Sequence, residues 1–286
     1  MPLTRMGLSL IHPRLFSSLI LIEPVIVKSF MAGKGPSFAK AAMLKKDAWK
    51  SRSEADSFFK KALKGWDSRC LDLWLKYGLR DIDPQANPTG TAVVLATTKD
   101  TELAQSLRPN FIDNKHSSKD GSKQLDYLQD PTFFTDVTGQ SETHPFYRYE
   151  PILMWRLLPY VRPSVLWIYG GKSLIATPEQ RTEKIQRTGT GVGGSGGHKN
   201  GRVKEVVIPD GGHFVPFEDV AGVAEPASEW LKQEVARWKE EEERIKKGWL
   251  ELTPQERSSL PDEWHAQLNK HFLKGKAGKT IARAKL

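Results

Sequence analysis

The sequence predicts an α/β fold, with about three parallel strands flanked by helices and a largely helical insertion after the first strand. Three observations carry this. Short, continuous apolar runs occur at Leu19-Ile20-Leu21-Ile22 and Val165-Leu166-Trp167-Ile168-Tyr169, and a third strand-like segment spans Val203 to Ile208. Runs of this kind read as strands buried on both faces, as parallel sheets require. Between the first two lies a long block, residues 28–149, whose charged, aromatic-studded pattern is that of helices rather than strands.

Taken in order, Leu8-Ser9-Leu10-Ile11 reads as the end of a helix closed by His12-Pro13-Arg14, because proline cannot continue a helix. The first strand follows and ends at Glu23-Pro24. Ala39 to Lys64 is charged and helical, and Cys70 to Tyr77 continues amphipathically. Ala92 to Ala96 is a short strand candidate, and Leu107 to Gly139 reads as a polar loop. Glu150 to Tyr160 is helical and leads into the second strand, which Gly170-Gly171 closes. Thr177-Pro178-Glu179 starts a helix, with Thr as N-cap and Pro at the first position. A glycine-rich loop, Gly189 to Gly201, precedes the third strand. Val220 to Lys247 is a long helix, with Leu231, Val235 and Trp238 at helical spacing. The domain reading is a core segment at 1–27, a cap insertion at 28–149, a second core segment at 150–248 and an extension at 249–286.

Composition bounds the function. Nine tryptophans in 286 residues argue for a packed core, and one cysteine, Cys70, excludes an internal disulfide. The net charge of +9 raises nucleic-acid binding as one class. Lys and Arg are spread along the chain without a nucleic-acid motif, so a solvated surface is the better reading and no nucleic-acid partner is expected. The longest apolar stretch, Leu15 to Val27, is too short to span a bilayer and contains Glu23 and Pro24. The chain ends Ala284-Lys285-Leu286, a small-basic-leucine address of the peroxisomal type, on the basic run from Lys274 to Arg283. The expected partner of that tripeptide is the peroxisomal import receptor.

The chemistry concentrates at Pro209-Asp210-Gly211-Gly212-His213, where a strand ends in a glycine turn with a histidine at its tip. Catalytic groups gather at the C-terminal ends of strands in open α/β sheets, and histidine there is suited to act as a base at neutral pH. Two motifs compete for attention. Gly189-x-Gly191-x-x-Gly194 spells the dinucleotide fingerprint but follows polar helical sequence and precedes a strand, so no nucleotide cofactor is expected. Gly278-Lys279-Thr280 lacks the upstream glycine of a phosphate-binding loop, Leu273 standing in its place, and the remaining histidines have no metal-ligand spacing.

The order strand with Ile-Glu-Pro, helical insertion, strand with Tyr169-Gly170-Gly171-Lys172-Ser173, Gly-rich loop, and Gly211-Gly212-His213-Phe214-Val215-Pro216-Phe217-Glu218 resembles the second half of an α/β-hydrolase. More narrowly it resembles the fungal peroxisomal α/β-hydrolases of secondary metabolism. That group includes the host-selective toxin hydrolases and the acyl-CoA hydrolase of the mycophenolic acid pathway. The resemblance covers roughly residues 1 to 245. It implies hydrolysis of an ester or thioester, plausibly an acyl-CoA, by a serine nucleophile with His213 as base. The usual slot for the acid holds Ser173, and a variant of the fold that places the acid one strand earlier points to Glu23, with Asp210 as runner-up.

The nucleophile is expected at a Gly-x-Ser-x-Gly elbow. Ser9 lacks the second glycine and sits in a helix, while Ser195 lies among glycines with no strand before it and no helix after it. The resemblance therefore implies an elbow just ahead of Met1. It also raises an alternative, that the chain is a truncated, non-catalytic remnant, poorly stable because the strand at Leu19 to Ile22 lacks its covering neighbours.

Overall fold

The computed structural model describes residues 2–12, 14–28, 37–82, 91–109, 146–147, 150–175 and 177–272. Two compact units emerge, Met1–Leu231 and Lys232–Leu286.

In the first unit, helix α1 (Pro2–Ile11) leads into strand β1 (Ser18–Ile22). The insertion contains α2 (Ser37–Leu44), β2 (Ala48–Trp49), α3 (Arg52–Ala62), α4 (Ser68–Tyr77), β3 (Leu79–Asp81), β4 (Val93–Leu95), α5 (Lys99–Ser106), β5 (Arg108–Pro109) and β6 (Phe146–Tyr147). The core resumes with α6 (Glu150–Leu157), β7 (Ser164–Gly170), α7 (Pro178–Arg187), β8 (Val203–Ile208) and α8 (Val215–Glu218). Helix α9 (Val220–Glu251) begins in this unit.

The core sheet is parallel, in the order β1-β7-β8. Its register pairs Leu19 with Val165, Leu21 with Trp167 and Ile168 with Val206. Every residue of β7 is buried, as a central strand covered on both faces must be. Alternation divides its side chains between two layers. Val165, Trp167 and Tyr169 join Leu19, Leu21 and Val203 against Met6 of α1, Met154 and Trp155 of α6 and Ile185 of α7. Leu166 and Ile168 face the opposite way, against Val215 of α8 and Val223 and Trp230 of α9. Leu166 and Ile168 are fully buried, each worth about 1.5–3 kcal/mol in apolar transfer. The indole Nε1 of Trp230 donates to Ser18 Oγ at 2.7 Å, which anchors α9 to β1.

Helix α7 starts as its sequence predicts. Thr177 accepts from the Gln180 amide, and the Gln180 side chain accepts from the Thr177 amide, forming a capping box with Pro178 inside the first turn.

Among its described residues the insertion is largely helical, as expected, with four helices and short strands between them. It carries an antiparallel sheet in the order β2-β4-β3. Trp49, Ala55, Phe59, Leu79, Val93 and Leu95 form its own small core. The segment from Ala39 to Lys64, expected to be helical, forms α2 and α3 with β2 between them, where Trp49 pairs with Val93 and is buried. Most of the loop expected at Leu107 to Gly139 lies outside the described residues, as does the tail with Ala284, Lys285 and Leu286.

The second unit takes up α9, then α10 (Pro254–Arg257) and α11 (Asp262–Phe272). Arg257 sits 5.6 Å above the Trp249 ring, and its guanidinium donates to the Trp249 and Leu250 carbonyls, closing the α9–α10 corner. Among the described residues no helix is long and apolar enough to cross a membrane.

Candidate active site

The C-terminal ends of β1, β7 and β8 lie side by side, and each contributes a turn. The turn after β1 is Glu23. Its amide donates to Ile168 O at 2.9 Å, one step past the last paired residue of β1. Its φ of 46° is in the left-handed region, and it is the one non-glycine there among the described residues. This conformation is costly for a residue with a Cβ. Its effect is to turn the carboxylate inward, where the residue is only 5% exposed.

The turn after β7 is Gly170-Gly171-Lys172-Ser173, nested against Pro209-Asp210-Gly211-Gly212 after β8. Gly171 N–H donates to Ile208 O at 2.7 Å and Lys172 N–H to Gly211 O at 2.9 Å. A Cβ on Gly170 would lie 2.3 Å from Gly212 O, so only glycine permits this approach. The Gly212 amide donates to the Glu218 carboxylate, which ties the histidine turn to α8.

These turns bring Glu23 and His213 together across 190 residues of sequence. His213 Nδ1 lies 3.0 Å from Glu23 Oε2. The same carboxylate accepts from the Gly170 amide at 2.6 Å, through Oε1, and from Ser173 Oγ at 2.6 Å, through Oε2. Burial works against the charge on Glu23. The hydrogen bonds from His213, Ser173 and the Gly170 amide outweigh it and hold the carboxyl below its ordinary range. With a carboxylate at Nδ1, that nitrogen carries the proton and Nε2 carries the lone pair. The His213 side chain is 41% exposed, so its ring remains open to an incoming group.

The other sequence candidates lie elsewhere. Asp210, the runner-up acid, is 91% exposed and pairs with Lys172 at 2.7 Å. Ser9 is buried in α1, with its hydroxyl donating to Met6 O at 2.7 Å. Ser195 sits in the glycine loop, and its Oγ accepts from the Gly197 amide at 3.3 Å. Neither serine meets His213. The loop's amides are directed at carbonyls: Gly189 to Leu158, Gly191 to Pro159, Ser195 to Val161 and Gly196 to Gly189. Left-handed φ values at Gly189, Gly193, Gly196 and Gly197 explain its composition without a phosphate ligand. No group of three or more candidate metal-binding side chains occurs among the described residues.

The insertion reaches the site through aromatic contacts. Trp66 stacks on Phe217 at 4.6 Å, and the Asp67 amide donates to Phe217 O at 2.7 Å. Phe214 bridges the Trp66 ring to the His213 ring. A cavity of about 430 Å³ lies on the insertion side of Phe217, lined by Trp66, Trp74, Tyr77 and Leu95 together with Lys45 and Glu102; His213 and Glu23 are not part of its lining. Several of the basic side chains between Lys28 and Lys64 are already paired: Lys28 with Glu183, Lys45 with Glu102 and Lys46 with Glu54.

Sequence reasoning missed Ser173 as a partner of the acid, having read it only as the absence of one. It also missed Lys184, which is 1% exposed although it lies on a polar helix. A lysine on the buried stripe of α7 beside Ile185 is the signal that would have found it.

No family model matches the chain. It is 35% identical to the type I acyl-CoA thioesterase mpaH of Penicillium roqueforti over 82% of this chain and 57% of that protein. It is 26% identical to the abhydrolase domain-containing protein ACTT2-2 of Alternaria alternata, over 90% of each. Among solved structures, the peroxisomal α/β-hydrolase Lpx1 of Saccharomyces cerevisiae superposes with a TM-score of 0.54 at 16% identity, over 97% of this chain and 60% of that one. The chain thus spans little more than half the length of the Penicillium relative. It carries the α/β-hydrolase fold, and its homologues are fungal acyl-CoA thioesterase and abhydrolase-domain proteins.

Proposed function

We propose that this chain carries the acid–base half of a hydrolase that cleaves an ester or thioester, with an acyl-CoA as the favoured substrate class. The observation that supports it is the Nδ1–carboxylate contact between His213 and Glu23 at the strand ends. In this reading His213 Nε2 takes the proton of an attacking serine hydroxyl, and Glu23 holds the tautomer and offsets the imidazolium charge. The imidazolium then protonates the leaving thiolate or alkoxide. A water molecule, deprotonated by the same nitrogen, releases the acid. The thioester preference draws on the similarity to the Penicillium acyl-CoA thioesterase. The aromatic cavity beside Phe217 suits an apolar acyl group.

The reading sets the nucleophile apart from residues 1–286. A fluorophosphonate probe is expected to leave this chain unlabelled. Labelling that disappears in His213→Ala would overturn that part. The activity itself is tested in a chimera that supplies to this chain the part of the Penicillium relative that it does not match. Acyl-CoA hydrolysis is expected, falling at least about a thousandfold in His213→Ala. A folded but inactive chimera would count against the function.

We further propose that Ala284-Lys285-Leu286 addresses the chain to the peroxisome through the import receptor. A fluorescent fusion with Leu286 free should give puncta, and a diffuse signal would refute this.

A further inference from the structure

We propose that Glu218 is a positioning residue for His213, and that the insertion fixes the histidine through it. The inference rests on reading Glu23 and His213 as the acid–base pair.

The turn that presents His213 is built from Gly211 and Gly212, and adjacent glycines leave a chain more conformational freedom than any other pair. A catalytic group displaced by about 1 Å can lose about a hundredfold in rate. Something must therefore restrain this turn. Gly211 is held on both sides: its N–H donates to Ile208 O at 3.1 Å, and its carbonyl accepts from Lys172 N–H at 2.9 Å. Gly212, the residue next to His213, is held less well from within, by a 3.3 Å bond from Val215 N–H to its carbonyl. Its own N–H goes to the Glu218 carboxylate. An ionised acceptor makes a stronger hydrogen bond than a carbonyl does. The fit is close as well, since a Cβ on Gly212 would come within 3.1 and 3.3 Å of the two Glu218 oxygens. Glu23 thus grips the His213 ring, and Glu218 grips the backbone that carries it.

Glu218 is in turn placed from the insertion. It ends α8, whose Phe217 and Glu218 amides both donate to Phe214 O, at 2.7 and 3.1 Å. The Phe217 carbonyl belongs to the peptide unit that leads into Glu218, and it accepts from Asp67 N–H at 2.7 Å. Asp67 is also the N-cap of α4, its side chain accepting from Arg69 N–H at 2.9 Å. Trp66, one residue earlier, stacks on the Phe217 ring at 4.6 Å. A peptide unit is planar and stiff. A shift at the start of α4 therefore turns the Phe217–Glu218 peptide and carries the carboxylate with it, and Gly212 follows.

The test reads the His213 Nδ1–H proton by downfield NMR in water, together with its exchange rate, at fixed pH and in the full chain. The wild-type chain should show the resonance. In Glu218→Ala its exchange should quicken at least about tenfold, from the loss of a charged acceptor. Glu218→Gln, which keeps an acceptor oxygen, should stay near wild type. If the alanine variant does not fold, Glu218→Asp withdraws the charge by one methylene and carries the same expectation. Trp66→Ala should quicken exchange in the same direction. The gain should persist unchanged in low urea, because a local opening exposes little surface. A glutamate that served stability alone would quicken exchange only through global unfolding, with its steep urea dependence, and that result would overturn the positioning role. Wild-type exchange in folded Trp66→Ala would overturn the part given to the insertion. A resonance absent from the wild-type chain, or surviving Glu23→Gln, would instead remove the pair on which both ideas stand.

Discussion

Lys184→Met should make this protein more stable, although it removes a charged residue from a polar helix. Lys184 is 1% exposed, and among the described residues its Nζ has no hydrogen-bond partner. Its neighbour is the Tyr169 ring, with Nζ 5.4 Å from the centroid. Burial lowers its pKa from 10.5 to about 8, against the pull of the Glu23 charge. At about 1.4 kcal/mol for each pH unit, that displacement is a cost of about 3 kcal/mol whenever the lysine is protonated in both states. The sign follows from proton counting. Below pH 8 the folded and unfolded chains both hold the proton and the full cost applies. Between about pH 8 and 10.5 the unfolded chain binds more protons, so stability rises with pH. Burial also raises the Tyr169 hydroxyl above its ordinary value, and because both chains carry that tyrosine its own effect near the alkaline end is common to the two curves. Methionine preserves the volume and removes the charge, while forfeiting a cation–π contact of roughly 0.5–2 kcal/mol. The net expectation is a gain of about 1–3 kcal/mol at pH 7, with the alkaline rise removed. Urea unfolding of both chains from pH 6 to 10.5 measures this. A variant no more stable than wild type at pH 7, or equal pH slopes in the two chains, would refute the reasoning.

Gly170→Ala should prevent the β7 and β8 turns from nesting, since its Cβ would meet Gly212 O at 2.3 Å; a near-wild-type circular dichroism melt would contradict that. Ser18→Ala strands the Trp230 indole N–H and should cost about 1–3 kcal/mol, with most of the loss recovered when Trp230→Phe is added in a double-mutant cycle. Trp66 and Phe217 should show a coupling energy of about 0.5–1.5 kcal/mol in unfolding cycles, and additive single variants would mean that the stack joining the insertion to the histidine turn carries no energy.

The core strands were legible because burial on both faces leaves a plain mark. Val165 to Tyr169 is an unbroken apolar run, and β7 buries all of it. Of the insertion's sheet only the central strand was legible, as the Ala92 to Ala96 candidate that contains β4. Its outer strands, β2 and β3, are two and three residues long, too short for alternation to show, and Ala48–Trp49 lies inside a charged stretch with helical spacing. Helix α5 was equally hidden. Lys99–Ser106 is polar, and its start is marked by the Thr98 cap rather than by an apolar stripe.

At the site, the sequence named His213 from its glycine turn and left the acid as a choice. Glu23 and Asp210 differ in what the backbone does after the strand. Asp210 points its charge at Lys172 in solvent, and Glu23 turns into the sheet edge through a left-handed residue. That φ is not written in the residue type, because glutamate is an unusual occupant of it. The role of Ser173 depends on the same rotation, so it was hidden for the same reason.

The left-handed backbone at Glu23 also sets chemistry and folding against each other at one position. A residue with a Cβ held there stores strain of order 1–3 kcal/mol, and glycine or asparagine would release much of it. A lineage that still depends on the carboxylate must tolerate that strain, whereas one freed from the dependence would gain stability by drifting to glycine or asparagine. Residue 23 therefore serves as a gauge of use among descendants of this chain: its side chain records whether the contact with His213 still matters, even where the rest of the sheet edge is unchanged.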